Sequence, residues 1–189
     1  MEFGPDIEHC LEVVRKGGLI LYPTDTIWGI GCDACNPEAV DSIYALKQRS
    51  ETKSMIILLA AEKDLLHYVA HPDPRVFDYL SSLQKPTTII YSGAIGMADN
   101  LIGQDGTIGI RITKDTFCKQ LIKRLRKPLV STSANLSGEK SPAYFNEISP
   151  GIKKGVDYIV QYRQNDTSSR QPSSIVKWNN DGNISVIRP

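Results

Sequence analysis

The most constraining feature of this sequence is its alternation of short apolar runs with segments of helical period. Ile7, Leu11 and Val14 recur at the spacing of one helix face, and the apolar run 19–22 follows at once, ended by Pro23. The same alternation continues to about residue 133. Strands that alternate with helices are typical of an α/β sheet, so we predict an α/β fold.

The pattern also predicts where the elements lie. Helices are predicted over 7–16, 37–47, 62–68, 74–82 and 115–126, with a short helix after Pro142. Strands are predicted over 19–22, 27–32, 54–59, 87–91, 107–112 and 128–132, and near 157–161, 173–177 and 184–188. The residues 92–106 are predicted to be a glycine-rich loop. We expect the polar segment 163–172 to be mobile and to act as a lid. No repeat or linker divides the 189 residues, so one domain over 1–189 is predicted.

Charge and hydropathy exclude two broad classes of protein. Lys and Arg total 22 against 21 Asp and Glu, and this net charge of +1 argues against a polyanion binder that works by bulk charge. The longest apolar run, 55–61, is far below the roughly 20 residues of a membrane span. The acidic N-terminus has no signal-peptide pattern, so we expect a cytoplasmic protein with reduced cysteines.

The cysteines and histidines form no convincing metal motif. Cys32 and Cys35 are spaced as C-x-x-C but lack a second pair, and Tyr68 stands where a metalloprotease helix has glutamate after His67. Zinc or redox chemistry remains a minor alternative to ordinary buried thiols. No metal site is predicted.

Two glycine-containing patterns have to be weighed as nucleotide motifs. Gly29, Gly31 and Ala34 fit G-x-G-x-x-A, but the next helix begins only at Asn36-Pro37. A strand with close backbone packing is therefore favoured over a nicotinamide site, which stays an alternative. Neither a P-loop nor a Gly-x-Ser-x-Gly elbow occurs, so covalent catalysis has no support.

Three polar segments are candidates for phosphate binding. Lys47, Arg49 and Lys53 surround a predicted helix end, and the small polar side chains of 131–138 follow a predicted strand. Each set has a simpler interpretation, as a solvated helix end or as a capped turn. The basic stretch 119–127 could likewise meet RNA phosphates, although a solvated helix face is the simpler explanation.

Four segments taken together resemble one known family. They are Tyr22-Pro-Thr-Asp-Thr-Ile-Trp-Gly-Ile-Gly-Cys-Asp-Ala34, Lys47-Gln-Arg49, Gly106-Thr-Ile-Gly-Ile-Arg111 and Ser131-Thr-Ser-Ala-Asn-Leu-Ser-Gly138. In order and spacing they are similar to the YrdC/TsaC family, the threonylcarbamoyl-AMP synthases. The tail, with 172–176 and 186–189, resembles the family too. The resemblance implies one YrdC-like domain: a twisted mixed sheet flanked by helices, with a deep cleft lined by basic residues.

The resemblance also implies a reaction. L-Threonine, bicarbonate and ATP, with Mg²⁺, would give threonylcarbamoyl-adenylate and pyrophosphate. Subunits of a threonylcarbamoyl-transferase complex would then pass the group to an adenosine beside the anticodon of tRNA. The chain would be a nucleotidyltransferase of tRNA processing, with tRNA or another RNA as a further partner.

Site residues follow from the same resemblance. Lys47 and Arg49 would be the catalytic pair. The residues matched to ATP are Lys47, Arg49, Lys53, Thr107, Ser133, Asn135, Ser141 and Arg188. Those matched to threonine are Thr26, Arg111, Ser131 and Ser173. Two alternatives stay open: a non-catalytic RNA-binding module of the same fold, and a hydrolase or carbamoyl-transfer relative.

Overall fold

A computed structural model describes residues 2–50, 55–168, 170–179 and 181–189. The α-helices are α1 (Gly4–Arg15), α2 (Pro37–Leu46), α3 (Arg75–Ser82), α4 (Thr116–Leu125) and α5 (Pro150–Lys154). The strands are β1 (Ile20–Tyr22), β2 (Gly29–Gly31), β3 (Ile56–Leu59), β4 (Thr87–Ser92), β5 (Thr107–Ile112), β6 (Leu129–Ser133), β7 (Tyr158–Ile159), β8 (Ser174–Trp178) and β9 (Ile184–Arg188). Single 3₁₀ turns or short 3₁₀ helices cover Glu62–His67, Asp99–Leu101 and Phe145–Glu147.

Within the described residues the nine strands form one mixed sheet in the order β7-β1-β2-β6-β3-β5-β4-β8-β9. Three pairs are parallel (β1 with β7, β3 with β5, β4 with β8), and the other neighbours run antiparallel. Helices flank this sheet, so the predicted α/β fold with a mixed sheet is confirmed.

The predicted helix starts near Asn36-Pro37 and Asp115 are confirmed. Asn36 caps α2, because its side-chain oxygen accepts a hydrogen bond from the Ala39 N–H at 3.2 Å, and Pro37 occupies the first turn. Asp115 caps α4 in the same way through the Cys118 N–H at 2.9 Å. Arg126 ends α4 with a left-handed φ of 60°.

Four predicted elements need correction. The segment predicted as a helix over 62–68 is a 3₁₀ helix, and the loop predicted over 92–106 contains the turn Asp99–Leu101. The short helix expected after Pro142 is a 3₁₀ turn followed by α5. The strand expected over 157–161 is only β7, because the Asp6 carboxylate accepts the N–H groups of Gln161 and Tyr162, both at 2.9 Å.

The glycine pattern of β2 serves backbone packing. A Cβ atom on Gly31 would lie 2.6 Å from the Val130 carbonyl oxygen and 2.7 Å from the Tyr22 ring. Gly29–Gly31 is a strand between β1 and β6, and α2 begins only at Pro37. A dinucleotide fingerprint needs a turn that opens directly into a helix, so the nicotinamide alternative is excluded.

The predicted strand 54–59 and the polar segment 163–172 each include a residue outside the described ranges. Residue 54 lies outside the described residues, and β3 begins at Ile56. In the polar segment, Arg163 donates to the Asp115 carboxylate at 2.6 Å. Among the described residues, none of the helices has the length and apolar character needed to cross a membrane.

Candidate active site

A cavity of about 220 Å³ opens where several strands of the sheet end. The residues around it come from the start of β2 and β3, the ends of β5, β6 and β9, and the segment before β8. Three of the lining residues are arginines: Arg49, Arg111 and Arg188. The other polar side chains in the wall are those of Thr26, Ser131, Thr132, Ser133, Ser141 and Ser173.

Arg111 is a buried cation whose donors are only partly satisfied. Its side chain is 3% exposed, and one terminal nitrogen donates to the Thr26 hydroxyl at 3.2 Å. The other, Nη2, forms an ion pair with Asp25 Oδ1 at 3.2 Å that lacks the alignment of a hydrogen bond. Nε has no hydrogen-bond acceptor among the described residues. A buried donor without an acceptor is costly, so this guanidinium is suited to a carboxylate ligand.

Lys47 fastens α2 to the segment after β6. It is 1% exposed, and its ammonium donates to the carbonyl oxygens of Ser133 and Asn135, the latter at 2.5 Å. The Lys47 carbonyl in turn accepts the Ser137 N–H at 2.9 Å. Burial, and then the charge of Arg49, lower the pKa of Lys47 to about 8. The side chain does not line the cavity; it holds the loop that does.

Arg49 turns toward the cavity from the same helix end. Gln48, between it and Lys47, has a φ of 49°, and this left-handed residue turns the chain so that Arg49 and Lys47 point differently. Burial lowers the pKa of the Arg49 guanidinium, an effect that Tyr44 partly offsets. A permanently charged guanidinium at the cavity wall suits a phosphate.

The polar segment 131–138 approaches the cavity from β6. Ser131 and Ser133 line it, whereas Asn135 lies behind the wall. The Asn135 amide nitrogen donates to the carbonyl oxygens of Leu136 and Glu139 at 2.8 and 2.9 Å. No donor from the described residues reaches its buried amide oxygen. Asn135 therefore holds the shape of the loop through its amide nitrogen.

The C-terminal strands supply the opposite wall. Arg188 donates through Nε and Nη2 to the Ser173 carbonyl oxygen at 3.0 and 2.7 Å. The Ser173 hydroxyl shares a hydrogen bond of 2.8 Å with Thr88. Burial, and then the charge of Arg111, lower the pKa of Arg188. Two guanidinium groups thus influence each other across one cavity, which favours a ligand that carries more than one negative charge.

Of the twelve predicted site residues, eight line the cavity, two lie directly behind it, one lies elsewhere and one falls outside the described residues. Arg49, Ser133, Ser141, Arg188, Thr26, Arg111, Ser131 and Ser173 all line the cavity. Lys47 and Asn135 lie directly behind it. Thr107 is the outlier: it begins β5, about 13 Å along the strand from Arg111, and its hydroxyl donates to Asp105 at 2.6 Å. Lys53 falls outside the described residues.

Trp28, which lines the cavity, and Asp25, which contacts a lining residue, were not among the sequence-based candidates. Trp28 packs against Phe145 with ring centroids 4.9 Å apart and gives the cavity an aromatic wall. Asp25 forms the ion pair with Arg111. Both lie within two residues of Thr26 in the sequence, and this closeness to a predicted site residue is the signal that could have identified them.

The described residues contain no group of three or more His, Cys, Asp or Glu side chains that could hold a metal ion. Cys10, Cys32 and Cys118 are buried, and Cys35 is half-buried. Burial raises the pKa of the thiol at each of these positions, which disfavours the thiolate that redox chemistry and metal binding require.

Comparison with known proteins identifies the class to which this fold and site belong. The chain belongs to the Sua5/YciO/YrdC family, whose model, described as "Telomere recombination", matches residues 12–189. A threonylcarbamoyl-AMP synthase of Pseudoalteromonas translucida is 34% identical over 172 residues, which are 89% of this chain and 91% of that protein. The resemblance seen in the sequence is confirmed, and so is the prediction of a nucleotidyltransferase-type enzyme.

Solved structures share the fold. E. coli YciO matches 97% of this chain and 88% of its own at 25% identity, with a TM-score of 0.84. P. abyssi Sua5 complexed with L-threonine matches 97% of this chain at 20% identity, with a TM-score of 0.85. The match spans 53% of that Sua5 chain, so this chain covers about half of it. Because the curated relative is named as an enzyme, the non-catalytic RNA-binding alternative is not favoured.

Proposed function

We propose that this protein is a threonylcarbamoyl-AMP synthase. L-Threonine, bicarbonate and ATP would yield threonylcarbamoyl-adenylate and pyrophosphate with loss of water, for modification of an adenosine next to the anticodon of tRNA. The observation that carries the proposal is the buried, partly unsatisfied Arg111 guanidinium in the same cavity as Arg49 and Arg188. Such a cavity offers one place for a carboxylate and others for phosphates.

The threonine end of the cavity is assigned to Arg111, Thr26, Ser131 and Ser173. The unsatisfied Nε and Nη2 of Arg111 lie on one edge of the guanidinium, where they match the two oxygens of a carboxylate. Thr26, Ser131 and Ser173 line the same cavity, and the Thr26 hydroxyl contacts Arg111. They are suited to the ammonium and hydroxyl groups of the amino acid.

The nucleotide end is assigned to the residues around Arg49. Arg49 and Arg188 present charge to the cavity, and Ser133 and Ser141 present hydroxyls. Lys47 and Asn135 support this wall from behind. The assignment also includes Lys53 and Thr107 as nucleotide contacts. Thr107 lies at the start of β5, away from the cavity, and its hydroxyl donates to Asp105.

The chemistry requires little beyond positioning and charge. A carbamate oxygen attacks the α-phosphorus of ATP, the bond to the β-phosphate oxygen breaks, and pyrophosphate leaves with the bonding electrons. Cations already fixed where that charge develops lower the barrier. Holding the reactants in one cavity removes the entropy cost of bringing them together. The attacking group is part of the substrate, so no protein nucleophile is required.

Mg²⁺ is proposed as part of the nucleotide complex. The described residues offer no cluster of carboxylates for it, and Mg²⁺ commonly keeps its waters and binds substrate phosphates. The phosphates of ATP would therefore supply its ligands, and it would offset their charge. The proposed partners of the product are subunits of a threonylcarbamoyl-transferase complex and, through them, tRNA.

Pyrophosphate release tests the proposal. Release should require ATP, L-threonine and bicarbonate together, and omission of any one should reduce it to background. Mass spectrometry of the reaction should show the threonylcarbamoyl-adenylate. Pyrophosphate formed equally well without threonine would contradict the proposed reaction, because a hydrolase or a different acyl acceptor would then explain the activity.

A further inference from the structure

A second cavity, of about 360 Å³, lies between the 3₁₀ helix Glu62–His67 and the C-terminal end of α4. Its charged lining residues are predominantly basic. The cations are Lys63, Lys123, Arg126 and Lys127, with Asp64 as the acidic member; His67 also lines the cavity. Part of the basic stretch 119–127 singled out in the sequence therefore meets a lysine from another element around one hollow.

This cavity is separate from the candidate active site. Both cavities involve the central strands β3 and β6, but at opposite ends. Ile56, at the start of β3, lines the first, whereas Leu59, about 10 Å further along the strand, lines the second. On β6 the first cavity takes Ser131 and Ser133, and the second takes Pro128, just before the strand begins.

Most of the positive charge around the second cavity is not neutralised by the protein. Lys127 is paired with Asp33 at 2.5 Å, and Asp64 accepts the Ala61 N–H at 3.1 Å. Within the part of the chain that the structure describes, no ion pair involves Lys63, Lys123 or Arg126. Like charges gathered around a hollow repel one another until an anion binds there.

The helix dipole explains only part of this arrangement. Cations at the end of α4 are favoured by the negative end of the helix, which accounts for Lys123 and Arg126. Lys63 lies on a different element, about 60 residues earlier in the chain, and nothing in that explanation brings it to the same cavity. Cations that come from two separate elements to one cavity are typical of a binding site for an anion.

We propose that this cavity binds a nucleotide unit through its phosphate. Lys63, Lys123 and Arg126 supply the charge for the phosphate. The floor is apolar, with Leu59, Ile122 and Pro128, and the Tyr68 ring offers an aromatic surface for a base. A free nucleotide and an unpaired RNA strand present the same unit. The site is independent of the proposed reaction in the first cavity.

Amide chemical shifts measured by NMR test this site directly. AMP and a short uridine oligoribonucleotide are titrated separately into the ¹⁵N-labelled chain. Either probe should shift amides over 59–68 and 122–128. In the variant Lys63→Gln/Lys123→Gln the affinity should fall about tenfold, and its salt dependence should weaken by about 0.7 in log–log slope per lost contact for single-stranded RNA.

The control removes the same charge elsewhere. Lys85 and Lys154 are both exposed and outside either cavity, so Lys85→Gln/Lys154→Gln should bind the probes like the wild type. Tighter binding of AMP than of the oligonucleotide at the lysines identifies a free nucleotide as the ligand, and tighter binding of the oligonucleotide identifies a strand. Shifts confined to 26–29 and 131–133, or equal losses in both double variants, would overturn the second site. Neither result would affect threonine-dependent pyrophosphate release.

Discussion

The ammonium of Lys47 lies 2.5 Å from the carbonyl oxygen of Asn135, 88 residues further along the chain. It also donates to the carbonyl oxygen of Ser133.

Replacement of Lys47 by methionine removes both hydrogen bonds and leaves two carbonyl groups unpaired in a buried position. We expect Lys47→Met to lower the free energy of unfolding by about 2–4 kcal/mol, measured by urea denaturation. Lys154→Met, at an exposed position, is the control. Equal stability of the two variants would contradict the structural role of Lys47.

The same lysine predicts how stability depends on pH. Its pKa is lowered to about 8 in the folded chain, against an ordinary value of 10.5. Between these values the unfolded chain holds the proton that the folded chain has released. The free energy of unfolding therefore rises with pH in this window, by at most about 1.4 kcal/mol per unit.

Comparison with Lys47→Arg isolates this effect, because arginine does not titrate in that range and the buried thiols are common to both proteins. Urea denaturation of each protein at several values between about pH 8 and pH 10 gives the difference. A difference that stays constant over this range would show that the ammonium keeps an ordinary pKa.

Arg111 predicts a selective loss of threonine binding. Lysine keeps the positive charge but cannot present two parallel N–H donors to a carboxylate. If the proposed function is correct, Arg111→Lys should raise the KM for threonine by about 10- to 100-fold, a loss of roughly 1.5–3 kcal/mol, with a much smaller effect on the KM for ATP. Steady-state pyrophosphate release measures both. An equal rise in both constants would assign Arg111 to the whole cavity instead.

Gly31 predicts a stability effect that is independent of function. An added Cβ would meet the Val130 carbonyl and the Tyr22 ring at under 3 Å, and both are held in the sheet. Gly31→Ala should therefore cost about 1–3 kcal/mol of unfolding free energy, measured by thermal or urea denaturation. Gly4→Ala is the matched control, since no atom of the described residues lies within 4 Å of its Cβ position. A neutral Gly31→Ala variant would mean that β1, β2 and β6 can separate.

Local sequence signals predicted most of the fold. Asn36-Pro37 and Asp115 mark helix starts that the structure confirms, and 107–112 is a strand with the predicted limits. The error at 157–161 arises because a distant group satisfies the local backbone. Asp6 accepts the N–H groups that would have extended β7, and no pattern within 157–161 could reveal a partner 150 residues earlier.

The candidate site shows the same division. Motif order predicted that the segments around Lys47 and Ser133 would meet, and the hydrogen bonds of Lys47 confirm the contact. Motif order could not tell a side chain that lines a cavity from one that supports its wall. That difference depends on the left-handed Gln48, which separates the directions of Lys47 and Arg49. The predicted strand 107–112, by contrast, already places Thr107 and Arg111 at different ends, as the structure does.

Reciprocal hydrogen bonds join Lys47 to the 133–137 segment, which lies far from it in the sequence. The lysine ammonium donates to two carbonyl oxygens of that segment, and the lysine carbonyl oxygen accepts one N–H from it. On the side of the segment these bonds use only main-chain atoms, so its side chains can change while its backbone path is kept, whereas position 47 needs a long side chain with N–H donors. Recombination and directed evolution should therefore tolerate a foreign segment of the same length here but not the loss of the lysine.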